Sequence, residues 1–419
     1  MADTNWAGNY TYRAEIVHHP STVDELAALV ASRPKLRLIG SRHTFSSISD
    51  AAEQVSLDLM PVDISVDASA QTVTVRGQVS YGELAARLQR DGMALANLAS
   101  LPHISVAGAV ATATHGSGDR SGNLATAVAG VELLTSSGEL WRFSRSDADF
   151  GGIVVSLGAL GAVTAVTLDV ELDYQVRQRV FEGLPWEALL TNFDGVTGAG
   201  DSVSVFALWD EPTVNVWVKS RVGNEPEAVR DELFGARPAR TDRHVIDGHD
   251  PDNCTPQLGV AGPWAERLPH FRMGFTPSSG EEIQSEYLVQ RRHAVDAIDA
   301  LRAIGVGLRP LLHVSEIRTV AADEMWLSPQ YGTDTVGIHF TWRRDQEAVE
   351  RALVDVEAAL APFEPRPHWG KLFLADAATL AARYPRLGDF AALAARLDSR
   401  GAFANDWIAR HVLPGSGTD

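Results

Sequence analysis

Cysteine is almost missing from this chain: Cys254 is the one thiol in 419 residues. An internal disulfide and a cysteine-based zinc cluster are thereby excluded, and no metal site is expected. Positive charge is scarce as well. Thirty-six Lys and Arg against 54 Asp and Glu leave a formal net charge of −18. Such a chain is poorly suited to neutralise nucleic-acid phosphates or to lie on an anionic membrane, so neither partner is expected. Long hydrophobic runs are lacking too. The nearest, Phe150 to Leu168, is uncharged but contains Gly151, Gly152, Gly158 and Gly161. It reads as a short helix, a glycine turn and a buried strand rather than a membrane span. Met1 to Trp6 has neither the basic nor the apolar region of a secretory leader. The expectation is a soluble, reduced, cytoplasmic protein.

Familiar catalytic signatures are also missing. There is no His-Glu-x-x-His, no P-loop and no Gly-x-Ser-x-Gly elbow, and Gly116, Gly118 and Gly122 have the wrong spacing for a dinucleotide fingerprint. Most of the 13 histidines read as surface or capping residues.

What the chain does have is an ordinary globular composition, 45% hydrophobic, in a length that suggests two or three domains. Strands and helices alternate at first. Ser21 or Thr22 caps a helix with Val23, Leu26 and Val30 on one face; Leu36 to Ile39 reads as a buried strand, Thr72 to Val75 as a second, and Tyr81 to Asp91 as a helix. Val131 to Thr135 and Leu140 to Phe143 form a hairpin, and Val163 to Leu172 closes this block.

From about residue 176 the texture changes. Ser202 to Trp209 and Thr213 to Val222 look like paired strands. Residues 236 to 280 hold six of the 20 prolines and little periodicity, and irregular stretches of that length often line sites. A helix with Leu288, Val295, Ile298 and Leu301 on one face is expected next. Strands Leu311 to Val320 and Thr335 to Arg343 follow, then a helix with Val349, Leu353, Val356 and Leu360.

Two loops are suited to close approach of a ligand. Gly40-Ser41-Arg42-His43-Thr44-Phe45 leaves a buried strand, and its small residues let backbone N–H groups converge on an anion. Taken alone, His43 is a solvated loop histidine. The second loop, Ser105-Val106-Ala107-Gly108 through Thr112-Ala113-Thr114-His115-Gly116-Ser117-Gly118, is small and uncharged for more than ten residues, which fits a flat ligand or a tightly packed loop equally well.

On the strand Leu311 to Val320, Leu312, Val314, Glu316 and Arg318 share a face by alternation; a structural ion pair and a ligand-facing pair are both open. On Thr335 to Arg343, Val336, Ile338, Phe340 and Trp342 oppose Gly337, His339, Thr341 and Arg343. A polar face turned to solvent is the plainer reading there.

The chain nevertheless resembles, over nearly its whole length, flavoproteins of the vanillyl-alcohol oxidase type. The resemblance is strongest to the alditol oxidases, through Ala99-Ser100-Leu101-Pro102-His103-Ile104-Ser105-Val106-Ala107-Gly108 and Pro367-His368-Trp369-Gly370-Lys371, although sugar-lactone oxidases share the second motif. The resemblance implies an α+β fold: a two-lobed FAD-binding domain (residues 1–175), a substrate or cap domain with an antiparallel sheet (176–371), and a C-terminal segment (372–419) returning to the first. It implies FAD held covalently through His43, with Gly40, Ser41, Arg42, Thr44, Ser105, Gly108, Val110, Ala113, Thr114, His115, Gly116, Ser117 and Val163 around the cofactor. Arg42 departs from the family, which usually has glycine there.

By the same resemblance Ser105, Glu316, Arg318, Thr341 and Lys371 bind substrate, and Arg318, Lys371 and His339 do the chemistry. The implied reaction oxidises the terminal primary alcohol of a polyol such as xylitol or sorbitol to the aldose, with oxygen as acceptor and hydrogen peroxide as product, in a chain expected to work as a monomer. An aldonolactone oxidase or dehydrogenase is the nearest alternative, and a flavin- or sugar-binding module without turnover the more distant one.

Overall fold

The computed structural model describes residues 3–224, 231–274 and 282–413. Among the described residues three large sheets organise the fold, beside a two-stranded pair of Met93–Ala94 with Glu171–Leu172. A parallel sheet of three strands runs in the order Ile16–His18, Glu53–Ser56, Arg37–Ile39. A five-stranded antiparallel sheet runs Asp63–Asp67, Thr72–Arg76, Ala162–Asp169, Val128–Leu134, Leu140–Ser144. Between Phe150 and Asp169 the chain makes a helix (Phe150–Val154), a turn with Gly158 and Gly161 at positive φ, and the buried strand Ala162–Asp169. Among the described residues no helix is long and apolar enough to cross a membrane.

Local signals explain the helices of this half. Thr22 caps Val23–Ser32 by accepting a hydrogen bond from the Glu25 N–H, and Leu26 and Val30 are its buried face. Ser80 and Glu83 form a reciprocal capping box on Tyr81–Arg90, which buries Leu84 and Leu88.

The third sheet is the largest, nine antiparallel strands whose central run is Gln175–Pro185, Thr213–Arg221, Ser202–Ala207, Leu312–Val320, Thr335–Arg343, Glu282–Gln290 and Arg366–Pro367. Helices Ala294–Leu308 and Gln346–Leu360 cover one face, where Ile298, Leu301, Val349, Leu353, Val356 and Leu360 pack against Val336, Ile338, Phe340 and Trp342. The opposite face looks toward the first half of the chain. The described part of the irregular stretch, 236–274, lies over that face through Cys254 and Phe271. Helices Ala377–Arg383, Leu387–Leu397 and Asp406–His411 pack Leu380, Phe390, Leu393 and Ile408 into one core with Val106, Val110 and Val166.

Two expectations are corrected here. Leu288 is not on a helix: it belongs to the strand Glu282–Gln290, and the helix begins only at Ala294, after the turn Arg291–His293. Leu312 does not share a face with Glu316. A register shift between Leu312 and Val314 opposes Leu312 to Trp342 and Val314 to Thr341. This bulge sends Leu312 into the helix-side core and keeps Val314 on the other face.

Candidate active site

A cavity of about 790 Å³ lies between the large sheet and the two loops of the first half, a size in the usual range for cofactor and ligand sites. Its first wall begins at Gly40, where the strand Arg37–Ile39 ends. Ser41 Oγ accepts a hydrogen bond from the Ser105 N–H at 3.0 Å, which ties the two loops together. The Ser105 side chain then occupies the space where a Cβ on Gly40 or Gly108 would sit. Both positions therefore require glycine for close packing. Thr44, Thr114, His115 and Val163 complete this wall.

His43 is half-buried, stacked on Trp6 with ring centroids 5.0 Å apart, its Nδ1 2.9 Å from the Ser41 carbonyl oxygen. Burial pushes its pKa down to about 4, so the ring is neutral with a lone pair available. The expectation of a solvated loop histidine is thereby corrected. Arg42 stands at φ +58°, the left-handed region that favours glycine. Its guanidinium pairs with Asp3 and lies 5.7 Å from the centre of the Tyr12 ring, and its carbonyl accepts from the Trp6 N–H at 2.9 Å.

Four loop residues stand behind the wall rather than on it. Val110 is on the inner face of the helix Val106–Ala111, and Ala113 is packed beneath it at φ +53°. Gly116 abuts the Leu98 carbonyl and the Asn97 amide, and Ser117 shares a 2.9 Å hydrogen bond with Ser202.

The second wall is the large sheet, where pairing register sets three polar side chains in a row: Glu316 opposes His339, and His339 opposes Glu286. A second row places Val314, Thr341 and Gln284 side by side. The polar face expected to meet solvent is buried, because residues 335–343 form an inner strand and the loops of the first half cover it. Among these, only Arg343 is exposed. A Cβ at position 337 would stand 3.0 Å from Glu286 Oε1 and press on that carboxylate.

Glu286 is the hub. Arg318 Nη2 donates to its Oε1 at 2.6 Å and Lys371 Nζ to its Oε2 at 2.7 Å, while His115 Nε2 is 3.2 Å from Oε1. Burial opposes its ionisation, but Lys371, Arg318 and His115 outweigh that and hold its carboxyl well below the usual range. Glu316 behaves alike: burial works against the charge, and Arg318 and His270 more than restore it. Burial lowers Lys371, against the pull of Glu286. Arg318 is raised: desolvation disfavours its charge, and the two carboxylates overcome it. Two buried anions thus face two buried cations.

His339 completes the wall. Burial, then the nearby Lys371 cation, hold it well below its ordinary pKa, so it is neutral. Gln284 donates to Glu282 through Nε2, which turns its Oε1 to His339 Nε2 at 3.1 Å. His339 therefore keeps its proton on Nε2, and its buried Nδ1 has no protein partner. An orphan acceptor at a cavity wall is a place for a ligand hydroxyl.

His368-Trp369-Gly370-Lys371 is fixed by Trp369 Nε1, which donates to the Leu327 carbonyl, and by the Phe45 N–H, which donates to the Gly370 carbonyl at 2.9 Å. Lys371 is thereby anchored next to the His43 loop.

This arrangement sets a glycine-lined cradle opposite a charged antiparallel sheet, the two parts of one site. The FAD binding domain family matches residues 14–144, and the D-arabinono-1,4-lactone oxidase family matches residues 279–411. A solvent-stable cholesterol oxidase superposes with a TM-score of 0.80 over 97% of this chain and 96% of its own, at 13% identity, which shows the shared fold. An alditol oxidase of Streptomyces sp. is 50% identical over 99% of both chains. The L-gulono-1,4-lactone dehydrogenase of Mycobacterium tuberculosis is 28% identical, over 98% of this chain and 99% of its own. The chain belongs to the alditol oxidase family of FAD-dependent oxidoreductases.

The sequence-predicted residues Gly40 to Thr44, Ser105, Gly108, Thr114, His115, Val163, Glu316, Arg318, His339, Thr341 and Lys371 all line this cavity. Glu286 is not among the sequence-predicted residues: the helix expected through Leu288 masks the end of the strand that bears it. His270 was not foreseen either. It comes from the irregular stretch, where no periodicity marks it.

Proposed function

We infer that the chain oxidises the terminal primary alcohol of alditols such as xylitol and sorbitol to the aldose, with FAD as cofactor and oxygen as final acceptor. The observation behind this reading is the polar wall of Glu316, His339, Arg318 and Lys371, with the orphan His339 Nδ1 among them. It combines acceptors and donors in the way a polyhydric substrate needs, since each unmatched polar group in a closed site is costly.

The cradle of Gly40, Ser41, Arg42, His43, Thr44, Ser105, Gly108, Thr114, His115 and Val163 suits FAD, with Val110, Ala113, Gly116 and Ser117 behind it. The neutral His43 is the residue for a covalent bond to the flavin. When bound, FAD supplies the hydride acceptor. Ser105, Glu316 and Thr341 hold the hydroxyls, and His339 Nδ1 takes the proton of the reacting one. Arg318 and Lys371 stabilise the negative charge that develops on that oxygen. Residues 1–175 act as the FAD-binding domain, 176–371 as the substrate domain and 372–419 as the returning segment. The chain is read as a monomer, and a lone buried Cys254 fits a reducing cytoplasm.

Initial rates of peroxide formation with xylitol, sorbitol and L-gulono-1,4-lactone test the substrate class. Faster turnover of the polyols is expected; turnover of the lactone alone would move the reading to the lactone branch.

A further inference from the structure

Glu316 is not held only by the site. Behind it, on the strand Thr213–Arg221, Lys219 is almost completely buried beside Trp217, and it opposes Gln178 and Ser202 across the sheet. Among the described residues no carboxylate pairs with it directly. Lys219 Nζ instead meets the Leu268 carbonyl and lies 3.0 Å from His270 Nδ1, and His270 Nε2 lies 2.9 Å from Glu316 Oε1.

Donor inventory fixes the direction of this chain. An ammonium group has only donors, so Lys219 donates to Nδ1. Nδ1 must then be the bare nitrogen, the ring proton sits on Nε2, and Nε2–H donates to Oε1. The Phe206 and Trp217 rings meet the imidazole edge to face at 5.5 and 5.3 Å and prevent it from turning. Glu316 Oε2 is left with Arg318 Nε at 3.6 Å, beyond hydrogen-bond range, and is the oxygen open to a hydroxyl.

We propose that Lys219 and His270 are positioning residues for substrate binding: Lys219 fixes the imidazole tautomer of His270, and His270 clamps Glu316 so that one carboxylate oxygen is held for a polyol hydroxyl. The proposal rests on the reading of Glu316 as a substrate contact. A buried lysine without an anion of its own is otherwise unexplained. The charged groups around His270 are Lys219, Glu316 and Arg318; around Lys219 they are Glu316 and Arg318, with the Cys254 thiol close by. Burial and the Lys219 cation push His270 down to about 4, which agrees with a neutral ring. Burial brings Lys219 to about 7, so the clamp is complete below neutrality.

The test has two arms. Nitrogen-15 spectra of the holoenzyme at pH 6, with His270→Gln as the assignment control, should show His270 neutral with its proton on Nε2. A proton on Nδ1, or a doubly protonated ring, overturns the proposal. In steady-state kinetics with xylitol, His270→Leu should raise KM about tenfold or more, the usual effect of losing a hydrogen bond to a charged group, with kcat changed far less. His270→Gln, whose amide nitrogen can replace Nε2, should restore most of the KM. Equal effects of Leu and Gln would make the role structural and sink the proposal. If His270→Leu does not fold, Lys219→Met takes its place, and a KM unchanged from the native enzyme overturns the proposal. Glu316→Gln separates the two readings. A raised KM there with a normal one in His270→Leu defeats the positioning role alone, whereas a normal KM in Glu316→Gln defeats the substrate contact and the clamp with it.

Discussion

Glu286 and Lys371, 85 positions apart in the chain, form a buried ion pair at 2.7 Å that joins the large sheet to the loop beside His43. Arg318 shares the same carboxylate at 2.6 Å, so one anion orients both cations of the site. Removing one partner of a buried pair leaves the others uncompensated, with a typical penalty of about 3–5 kcal/mol. Glu286→Gln is expected to lower the thermal midpoint clearly and to reduce turnover, because Arg318 and Lys371 would repel each other. A variant with native midpoint and native turnover would contradict the role of Glu286 as hub.

The same carboxylates set the acid limit. Both Glu286 and Glu316 titrate in the folded protein below their ordinary value of 4.5. A depressed folded pKa contributes stability that is fully present above the unfolded value and is lost as pH falls through the folded one. The midpoint should therefore drop as pH is lowered from about 5 toward 3, and Glu286→Gln should flatten that slope. Scanning calorimetry across this window measures both. An unchanged slope in the variant would contradict the assignment.

His339 is read as the proton acceptor because Gln284 fixes its proton on Nε2 and leaves Nδ1 bare. Loss of a general base typically reduces rate by about 10²–10⁴. His339→Ala should lose turnover on that scale while retaining its flavin absorbance. Near-native kcat would remove His339 from the chemistry.

Arg318→Ala is expected to reduce turnover by about 10²–10³, the usual effect of deleting one preorganised donor to a developing oxyanion. Flavin content should change little. Substantial turnover in a fully flavinylated variant would refute the role.

Arg42 occupies a left-handed backbone position, which glycine adopts freely and alanine does not. Arg42→Ala keeps that conformational penalty and loses the Asp3 pair. Arg42→Gly loses the pair but relieves the backbone. The glycine variant should be the more stable of the two by about 1 kcal/mol in denaturant titrations. The reverse order would show that the side chain, not the backbone, decides.

Legibility followed the range of the interaction. The strand Thr335–Arg343 and the helix Gln346–Leu360 were readable because their periodicities are local. Glu316 and Arg318 were placed on one face by alternation, but the bulge that removes Leu312 from that face depends on partner register, which no single strand encodes. Glu286 escaped because Leu288 was assigned to the following helix. Ile283, Ser285, Tyr287 and Val289 in fact alternate with Gln284 and Glu286, and that period of two was the available signal. The contact of Glu286 with Lys371 and that of His270 with Glu316 join distant segments, so only the folded chain brings them together.

The proposed covalent link is checked by acid precipitation: native protein should give a yellow pellet, and His43→Ala a white one with free flavin in the supernatant. A yellow pellet from His43→Ala would refute attachment at that residue.

The most direct test of the central claim is the visible spectrum of the purified protein mixed anaerobically with xylitol and then exposed to air. Rapid bleaching of the flavin bands followed by rapid recovery in oxygen is predicted. A flavin that xylitol leaves oxidised would contradict the assignment as an alditol oxidase.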